Sequence, residues 1–157
     1  MLNNDAIKAV RFMLGINDAK IVEICGLDGL EIPRTEIHNF MRGETDPEYI
    51  ECPDGIMVHF LDGLIYYLRG KDESRPPMPK ELPVSNNLIL KKLRVAFQLK
   101  EEDMLSLIND SGMKFGKSEL SAVLRKRGHD NYRQLGDQVL RYFLKGLTQK
   151  LKPGSEG

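Results

Sequence analysis

The chain has 157 residues, of which 41% are hydrophobic and 29% are charged, and its 23 basic side chains balance 23 acidic ones. This composition excludes an intrinsically disordered chain, and the length suits one ordinary domain or two small ones. No apolar run approaches the ~20 residues that a membrane-spanning helix needs, and the N-terminal sequence has no secretion signal. We therefore expect a cytoplasmic protein without membrane contact, in which Cys25 and Cys52 are reduced thiols.

Four helices are predicted in the first unit, residues 1–70. The first helix opens at Asn3 and Asn4, which are favoured N-cap residues, and the third starts near Pro33, a favoured first-turn residue. The fourth spans about 53–69, with apolar side chains at every fourth position along one face. No segment alternates with a period of two residues, so the predicted class is all-α.

Residues 71–85 are predicted to be an extended linker. The segment contains four prolines and few large apolar side chains. Proline fixes the backbone φ angle and removes a hydrogen-bond donor, which disfavours a helix here.

The second unit, residues 86–151, repeats the first at an offset of 83 positions without a gap. Over residues 3–65 there are 13 identities in 63 positions. The second unit is therefore predicted to have the same four helices, the last spanning about 132–150, followed by a disordered tail at 152–157. Gly63 and Gly146 fall at the same place inside the two fourth helices, which suggests close approach of another backbone.

Several polar residues are identical in the two units. They include Arg11 and Arg94, Tyr49 and Tyr132, and Asp54 and Asp137. Because both units keep them, they are interpreted as structural repeat pairs, for example an Arg–Asp ion pair that ties the first helix to the fourth.

The segment GMKFGKS, residues 112–118, resembles the end of a nucleotide-binding Walker A loop. Such a loop has the pattern GxxxxGK[ST] and follows a strand. Here only three residues separate Gly112 from Gly116, and the preceding stretch has helical spacing. The segment is therefore predicted to connect two helices, and no nucleotide is expected at residues 112–118.

No catalytic residue, metal site or cofactor is predicted. The three histidines, His38, His59 and His129, form neither HxxxH nor HExxH, and the chain has no GxSxG. Cys25 lies on an apolar helical face, and the carboxylates are expected to scatter over helix surfaces. An enzyme is therefore the third-ranked functional class.

Charge is distributed unequally between the two halves of the chain. Residues 1–70 carry 6 basic and 12 acidic side chains, whereas residues 71–157 carry 17 and 11. The reversal is sharpest after the third helix, where RGETDPEYIE (42–51) in the first unit becomes RKRGHDNYRQ (125–134) in the second. The candidate nucleic-acid contacts are Lys114, Lys117, Arg125, Lys126, Arg127 and Arg133.

Three interpretations of this basic cluster remain open. Its cations could complement the dipole of a solvated helix end, contact phosphates, or pair with an acidic face of a partner or of a second copy. Helices two and three of the second unit resemble a helix-turn-helix with a basic exposed side, although the turn is a few residues too long.

With the duplication established, the chain resembles the YehS-like family of uncharacterised bacterial proteins, which is built from a duplicated domain of unknown function. The resemblance is carried by NNDAIKAVRFMLG and NNLILKKLRVAFQL at the starts of the two units and by RKRGHDNYRQLGDQVLRYFLKGL near the end of the second. It implies a small, helical, cytoplasmic bacterial protein and transfers no activity and no catalytic residue.

The sequence thus predicts two tandem, sequence-related four-helix units, each with a helix-turn-helix-like hairpin, joined by a proline-rich linker. The favoured function is a non-enzymatic binding or regulatory module that contacts nucleic acid through the second unit. The alternative is a protein-interaction module, or a homo-oligomer, that pairs acidic with basic faces.

Overall fold

The computed structural model describes residues 1–154, and within that range every regular element is a helix. The helices are α1 (Asn3–Leu14), α2 (Asp18–Leu27), α3 (Arg34–Met41), α4 (Asp54–Arg69), α5 (Asn86–Phe97), α6 (Glu101–Asp110), α7 (Lys117–Leu124) and α8 (Asp137–Leu151). The all-α class and the four helices in each unit are confirmed. None of the helices in residues 1–154 combines the length and the apolar character that crossing a membrane requires.

The chain divides into two compact units, the first Met1–Val84 and the second beginning at Ser85. Residues 71–84 of the predicted linker therefore group with the first unit, whereas Ser85 caps α5 in the second. Lys71 donates a hydrogen bond to the carbonyl of Leu27 at 2.9 Å, and its ammonium lies 5.2 Å from the centre of the Tyr66 ring.

In each unit the second helix packs against the fourth, α2 on α4 and α6 on α8. The contact is closest at the repeated glycines. A Cβ atom added at Gly63 would lie 2.8 Å from the carbonyl carbon of Ile24, and one added at Gly146 would lie 2.8 Å from that of Leu107. The predicted close backbone approach at these glycines is confirmed, since any side chain would collide with the facing helix.

The prediction that Asn3 and Asn4 cap α1 is wrong. Both lie inside the helix, and the buried Asn4 reaches across the unit instead. Its amide nitrogen donates to the carbonyls of Phe40 at 3.0 Å and Ile50 at 2.9 Å, and its amide oxygen accepts the backbone N–H of Cys52 at 2.8 Å. A buried amide is tolerated because three backbone groups satisfy it.

The last helix of each unit starts after an irregular connection. The prediction placed the start of α8 near residue 132, but it starts at Asp137. The intervening chain cannot be helical because the backbone groups of Arg133 and Leu135 are bonded to the side chain of Asn87.

The connections between the second and third helices, residues 28–33 and 111–116, have six residues each. They are longer than the 3–4-residue turn of a helix-turn-helix. Residues 112–116 connect α6 to α7, with Gly116 as the N-cap, and Lys117 and Ser118 begin α7, so the prediction of a helix–helix connection is confirmed.

Cys25 and Cys52 are free thiols and both are buried. Burial raises the pKa of each thiol to about 12. Of the predicted disordered tail, residues 152–154 form a turn after α8, and 155–157 lie outside the described residues.

Candidate functional site

The cations proposed to contact nucleic acid are exposed, except for the half-buried Arg125, but they do not form a basic helix. α7 carries only Lys117, its first residue, and Lys114 precedes it. The other four follow α7 on residues 125–136, which we call the basic loop. The prediction of a helix with a basic face is therefore wrong. α7 ends at Leu124 because Arg125 adopts an extended backbone, with ψ 159°.

Side chains of α5 hold the basic loop in place. The amide nitrogen of Asn87 donates to the carbonyls of Val123 at 2.9 Å and Arg133 at 2.7 Å, and its oxygen accepts the N–H of Leu135 at 2.8 Å. The ammonium of Lys91 donates to the carbonyl of Arg125 at 2.8 Å. These bonds fix the loop backbone at both ends, so its cations project from an ordered scaffold.

The first unit builds the same scaffold from residues 42–53, which we call the acidic loop. Asn4 makes the three bonds described above, and Lys8 donates to the carbonyl of Arg42 at 2.9 Å. Asn4 and Lys8 are the repeat equivalents of Asn87 and Lys91. The two loops therefore share one backbone arrangement although their side chains differ.

Even the turn inside each loop is preserved while its charge changes. In the acidic loop the carboxylate of Asp46 accepts the N–H of Glu48 at 2.9 Å. At the equivalent positions of the basic loop, Nδ1 of His129 accepts the N–H of Asn131 at 3.0 Å. His129 thus accepts the same backbone hydrogen bond as Asp46 but carries no negative charge.

His129 and Asn131 stand at the positions of Asp46 and Glu48, so the second unit lacks the two carboxylates that pair with the repeated arginine. In the acidic loop Arg42 forms ion pairs with Asp46 and Glu48, both at 3.1 Å. Its equivalent, Arg125, donates to the neutral carbonyl of Asn131 at 3.3 Å, its one side-chain hydrogen bond within residues 1–154. Over residues 1–154, no carboxylate lies within 4 Å of any of the six candidate cations.

Residues 114–133 carry six basic and two acidic side chains, whereas the equivalent residues 31–50 carry two and five. The second unit therefore presents a cationic surface where the first unit presents an anionic one.

A groove of about 700 Å³ lies between α7 and the basic loop. Its buried lining is apolar and consists of Phe115, Ala122, Val123, Leu135 and Val139. The exposed or half-buried lining is polar and includes Glu119, Arg125, Asp130, Tyr132 and Arg133. Two of the six candidate cations, Arg125 and Arg133, therefore border a groove with an apolar floor.

The repeated arginines hold the turn after their own helix. Nε of Arg11 donates to the carboxylate of Asp18 at 3.0 Å, and Nε of Arg94 donates to the carbonyl of Leu99 at 3.2 Å. Neither bond reaches the fourth helix, so the predicted Arg–Asp tie between the first and fourth helices is wrong.

An Asn–Asp hydrogen bond makes that connection instead. The amide of Asn3 donates to Asp54 at 2.8 Å, and the amide of Asn86 donates to Asp137 at 2.7 Å. These distances place the repeated aspartates at the joint between the first and fourth helices of each unit.

The repeated tyrosines lie in the two loops. The buried hydroxyl of Tyr49 has no hydrogen-bond partner in the part of the chain that the structure describes, and burial raises the pKa of this hydroxyl. The Lys8 ammonium lies 5.8 Å from the centre of its ring. Tyr132 instead lines the groove beside the basic loop.

A buried charged cluster in the first unit was not predicted. The side chains of Asp28 and Asp62 are only 1% and 2% exposed, and the ammonium of Lys80 bridges them at 2.7 and 2.8 Å. Nδ1 of His59 lies 2.7 Å from the same oxygen of Asp28 that Lys80 contacts. The expectation that carboxylates scatter over helix surfaces is wrong here. The sequence signal was Asp62, an acidic residue in the middle of the apolar run GIMVHFLDGLIYYL.

Lys80 belongs to the segment predicted as a free linker, and it reaches into the fold to satisfy these carboxylates. Ser111, Tyr142 and Lys145 stand at the positions of Asp28, His59 and Asp62 in the second unit, so the cluster is specific to the first. Within residues 1–154 no three histidine, cysteine or acidic side chains are arranged to hold a metal ion.

Comparison with known proteins identifies the duplicated unit. A family model described as "Protein of unknown function (DUF1456)" matches residues 3–70 and again residues 86–152. The chain belongs to this family. The two matches cover the two units and exclude residues 71–85, and the resemblance to the YehS-like family is confirmed.

One curated relative matches nearly the whole chain. The Escherichia coli (strain K12) protein named "Uncharacterized protein YehS" is 41% identical over 156 residues, which are 98% of this chain and 100% of the relative. No solved structure matches the chain.

Proposed function

We propose that this DUF1456 protein is a non-enzymatic binding module whose second unit contacts nucleic acid through the basic loop. The observation that carries the proposal is the contrast between Arg42 and Arg125. One scaffold holds both arginines, but two carboxylates neutralise Arg42, whereas no carboxylate of residues 1–154 lies within 4 Å of the Arg125 guanidinium nitrogens. Arg125 is half-buried and therefore still partly open to solvent. A cation without a carboxylate partner is free to replace the counterions of a phosphate.

The ordered backbone of the loop adds to this support. The hydrogen bonds from Asn87 and Lys91 fix the loop before any ligand arrives. Less conformational entropy is lost on binding when the contacting segment is already ordered.

Fluorescence anisotropy of labelled mixed-sequence nucleic acid, titrated at several salt concentrations, tests the proposal. Six phosphate contacts correspond to a slope of log K against log[salt] of about −4 to −5. The variant Arg125→Glu/Arg127→Glu should bind much more weakly and with a shallower slope. The matched control Arg75→Glu/Lys145→Glu makes the same change in net charge at exposed cations outside the loop. It should retain most of the binding.

Absence of binding at low salt, or equal losses in the two double variants, would refute contact through the basic loop. A melting-temperature measurement on each variant separates loss of binding from loss of fold, because Arg125 also bonds Asn131.

Pairing of the acidic loop of one copy with the basic loop of another is the second candidate, supported by their shared backbone and opposite charge. Sedimentation of the protein alone distinguishes it. An average mass that rises with protein concentration and falls with salt would support self-association instead.

A further inference from the structure

The groove beside the basic loop has the dimensions of a small-ligand site. Its volume of about 700 Å³ lies within the roughly 300–1,000 Å³ typical of such sites. It is lined below by buried apolar side chains and above by exposed polar ones. A flat, apolar-faced group with polar edges matches this lining.

Differences between the third helices contribute to this shape. α7 presents Ala122 where α3 presents Asn39. In the first unit Asn39 accepts a hydrogen bond from Nε of Arg42 at 2.8 Å. Alanine cannot accept that hydrogen bond, so Arg125 lacks both the helix partner and the carboxylate partners that Arg42 has. The smaller side chain of Ala122 also leaves the volume of the asparagine amide as part of the groove.

The charges around the groove favour a different part of a ligand at its edge than in its interior. Glu119 and Asp130 line it, so a phosphate placed inside would meet two carboxylates. Arg125 and Arg133 border the same groove, and the exposed Arg127 lies outside its lining. A phosphate is therefore favoured at the cationic edge, and a neutral group is favoured within.

We infer that the groove receives an unstacked base of a single-stranded nucleic acid, while the basic loop holds the adjoining phosphates. This inference rests on the proposed function and names the form of nucleic acid that the site takes. The Tyr132 ring at the groove provides a stacking surface. One oxygen of Glu119 already accepts the N–H of Gly116 at 3.0 Å, so its other oxygen and the carboxylate of Asp130 accept hydrogen bonds from an exocyclic amino group. Bases in a duplex are paired and stacked, and extruding one costs free energy that a single strand does not require.

Anisotropy titrations at one salt concentration compare labelled oligocytidine, labelled oligothymidine and a duplex of the same length. We expect the cytidine strand to bind at least about fivefold more tightly than the duplex, since one stacked base contributes roughly a fivefold to hundredfold gain. We also expect it to bind more tightly than the thymidine strand, because thymine carries a carbonyl where cytosine carries an amino group.

Two variants place the effect in the groove. Ser118→Leu fills the groove from an exposed position without removing a cation, and Tyr132→Leu removes the ring. Each should lower single-strand affinity at least fivefold, with little change in duplex affinity or salt slope. Thr35→Leu introduces the same leucine at the equivalent exposed position of the first unit, and it should leave binding unchanged.

Equal binding of single strand and duplex, or full single-strand affinity in both groove variants, would overturn the inference while leaving the basic loop as a phosphate site. Equal binding of the cytidine and thymidine strands would overturn the part assigned to Glu119 and Asp130. Failure of the proposed function itself gives a different result, namely no salt-dependent binding of any of the three ligands.

Discussion

Replacing Lys80 with methionine should destabilise the protein far more than its place in a proline-rich segment suggests. The substitution keeps the apolar stem and removes the ammonium that lies 2.7 Å from Asp28 and 2.8 Å from Asp62. Both carboxylates are almost fully buried, so water cannot replace the lost partner. Removing one partner of a buried ion pair costs about 3–5 kcal/mol, out of a total unfolding free energy of roughly 5–15 kcal/mol.

Urea and thermal unfolding, followed by far-UV circular dichroism, measure the effect. A loss of about 3–5 kcal/mol corresponds to a fall in melting temperature of roughly 6–20 °C for a chain of this length. Lys71→Met is the matched control. It removes an exposed hydrogen bond from the same segment and should cost no more than about 1 kcal/mol.

Combining Lys80→Met with Asp28→Asn and Asp62→Asn should recover most of the loss, since neutral amides need no counter-charge. A cost below about 1 kcal/mol for Lys80→Met alone, as at an exposed ion pair, would refute the argument.

The pH dependence gives a second readout of the same contact. Burial by itself would lower the pKa of Lys80, but its hydrogen bonds to Asp28 and Asp62 outweigh burial and raise it above the ordinary 10.5. A raised pKa in the folded state means that the stabilisation is complete below about pH 10.5 and is lost as the pH rises through the folded-state pKa. The difference in unfolding free energy between the protein and Lys80→Met should therefore be constant up to about pH 10 and shrink above it.

Two further substitutions test the helix contacts and a helix end. Gly63→Ala should cost at least about 2 kcal/mol because the new methyl group collides with the Ile24 carbonyl. Gly55→Ala in the same helix should be neutral or stabilising, since a methyl group there meets no other segment of residues 1–154 within 4 Å. Equal urea midpoints for the two variants would contradict the close contact at Gly63. Gln98→Gly should stabilise the protein by about 1 kcal/mol, because Gln98 has a φ of 54° at the position that Gly15 occupies in the first unit; an unchanged thermal midpoint would count against strain there.

Helix positions were largely predictable because they depend on local patterns. Apolar spacing, the helix-start residue Pro33 and the repeat together predicted all eight helices, and the repeated glycines correctly indicated a close helix contact. The start of α8 was misplaced because the segment before it is held by a distant side chain, Asn87. Asn3 and Asn4 were misassigned as caps for a related reason, since their partners are far along the chain.

The sequence predicted which residues make up the candidate site but not how they are arranged in space. The basic residues after the third helix and the reversal of charge between units were visible from the sequence. That the cations lie on an ordered loop, and that Arg42 is neutralised whereas Arg125 is not, depends on distances between side chains. The groove could not be predicted from the sequence either, because residues of α7, the basic loop and α8 line it together.

The sequence by itself determined the all-helical class, the duplication and the opposite charge of the two units, because these follow from periodicity, self-similarity and composition. Only the tertiary structure decided which polar residues are partners. Lys80 follows Asp62 by 18 residues and Asp28 by 52 in the chain, yet its ammonium contacts both carboxylates. Burial makes such a contact strong by excluding water, and burial is a property of the packed fold that no local stretch of sequence contains.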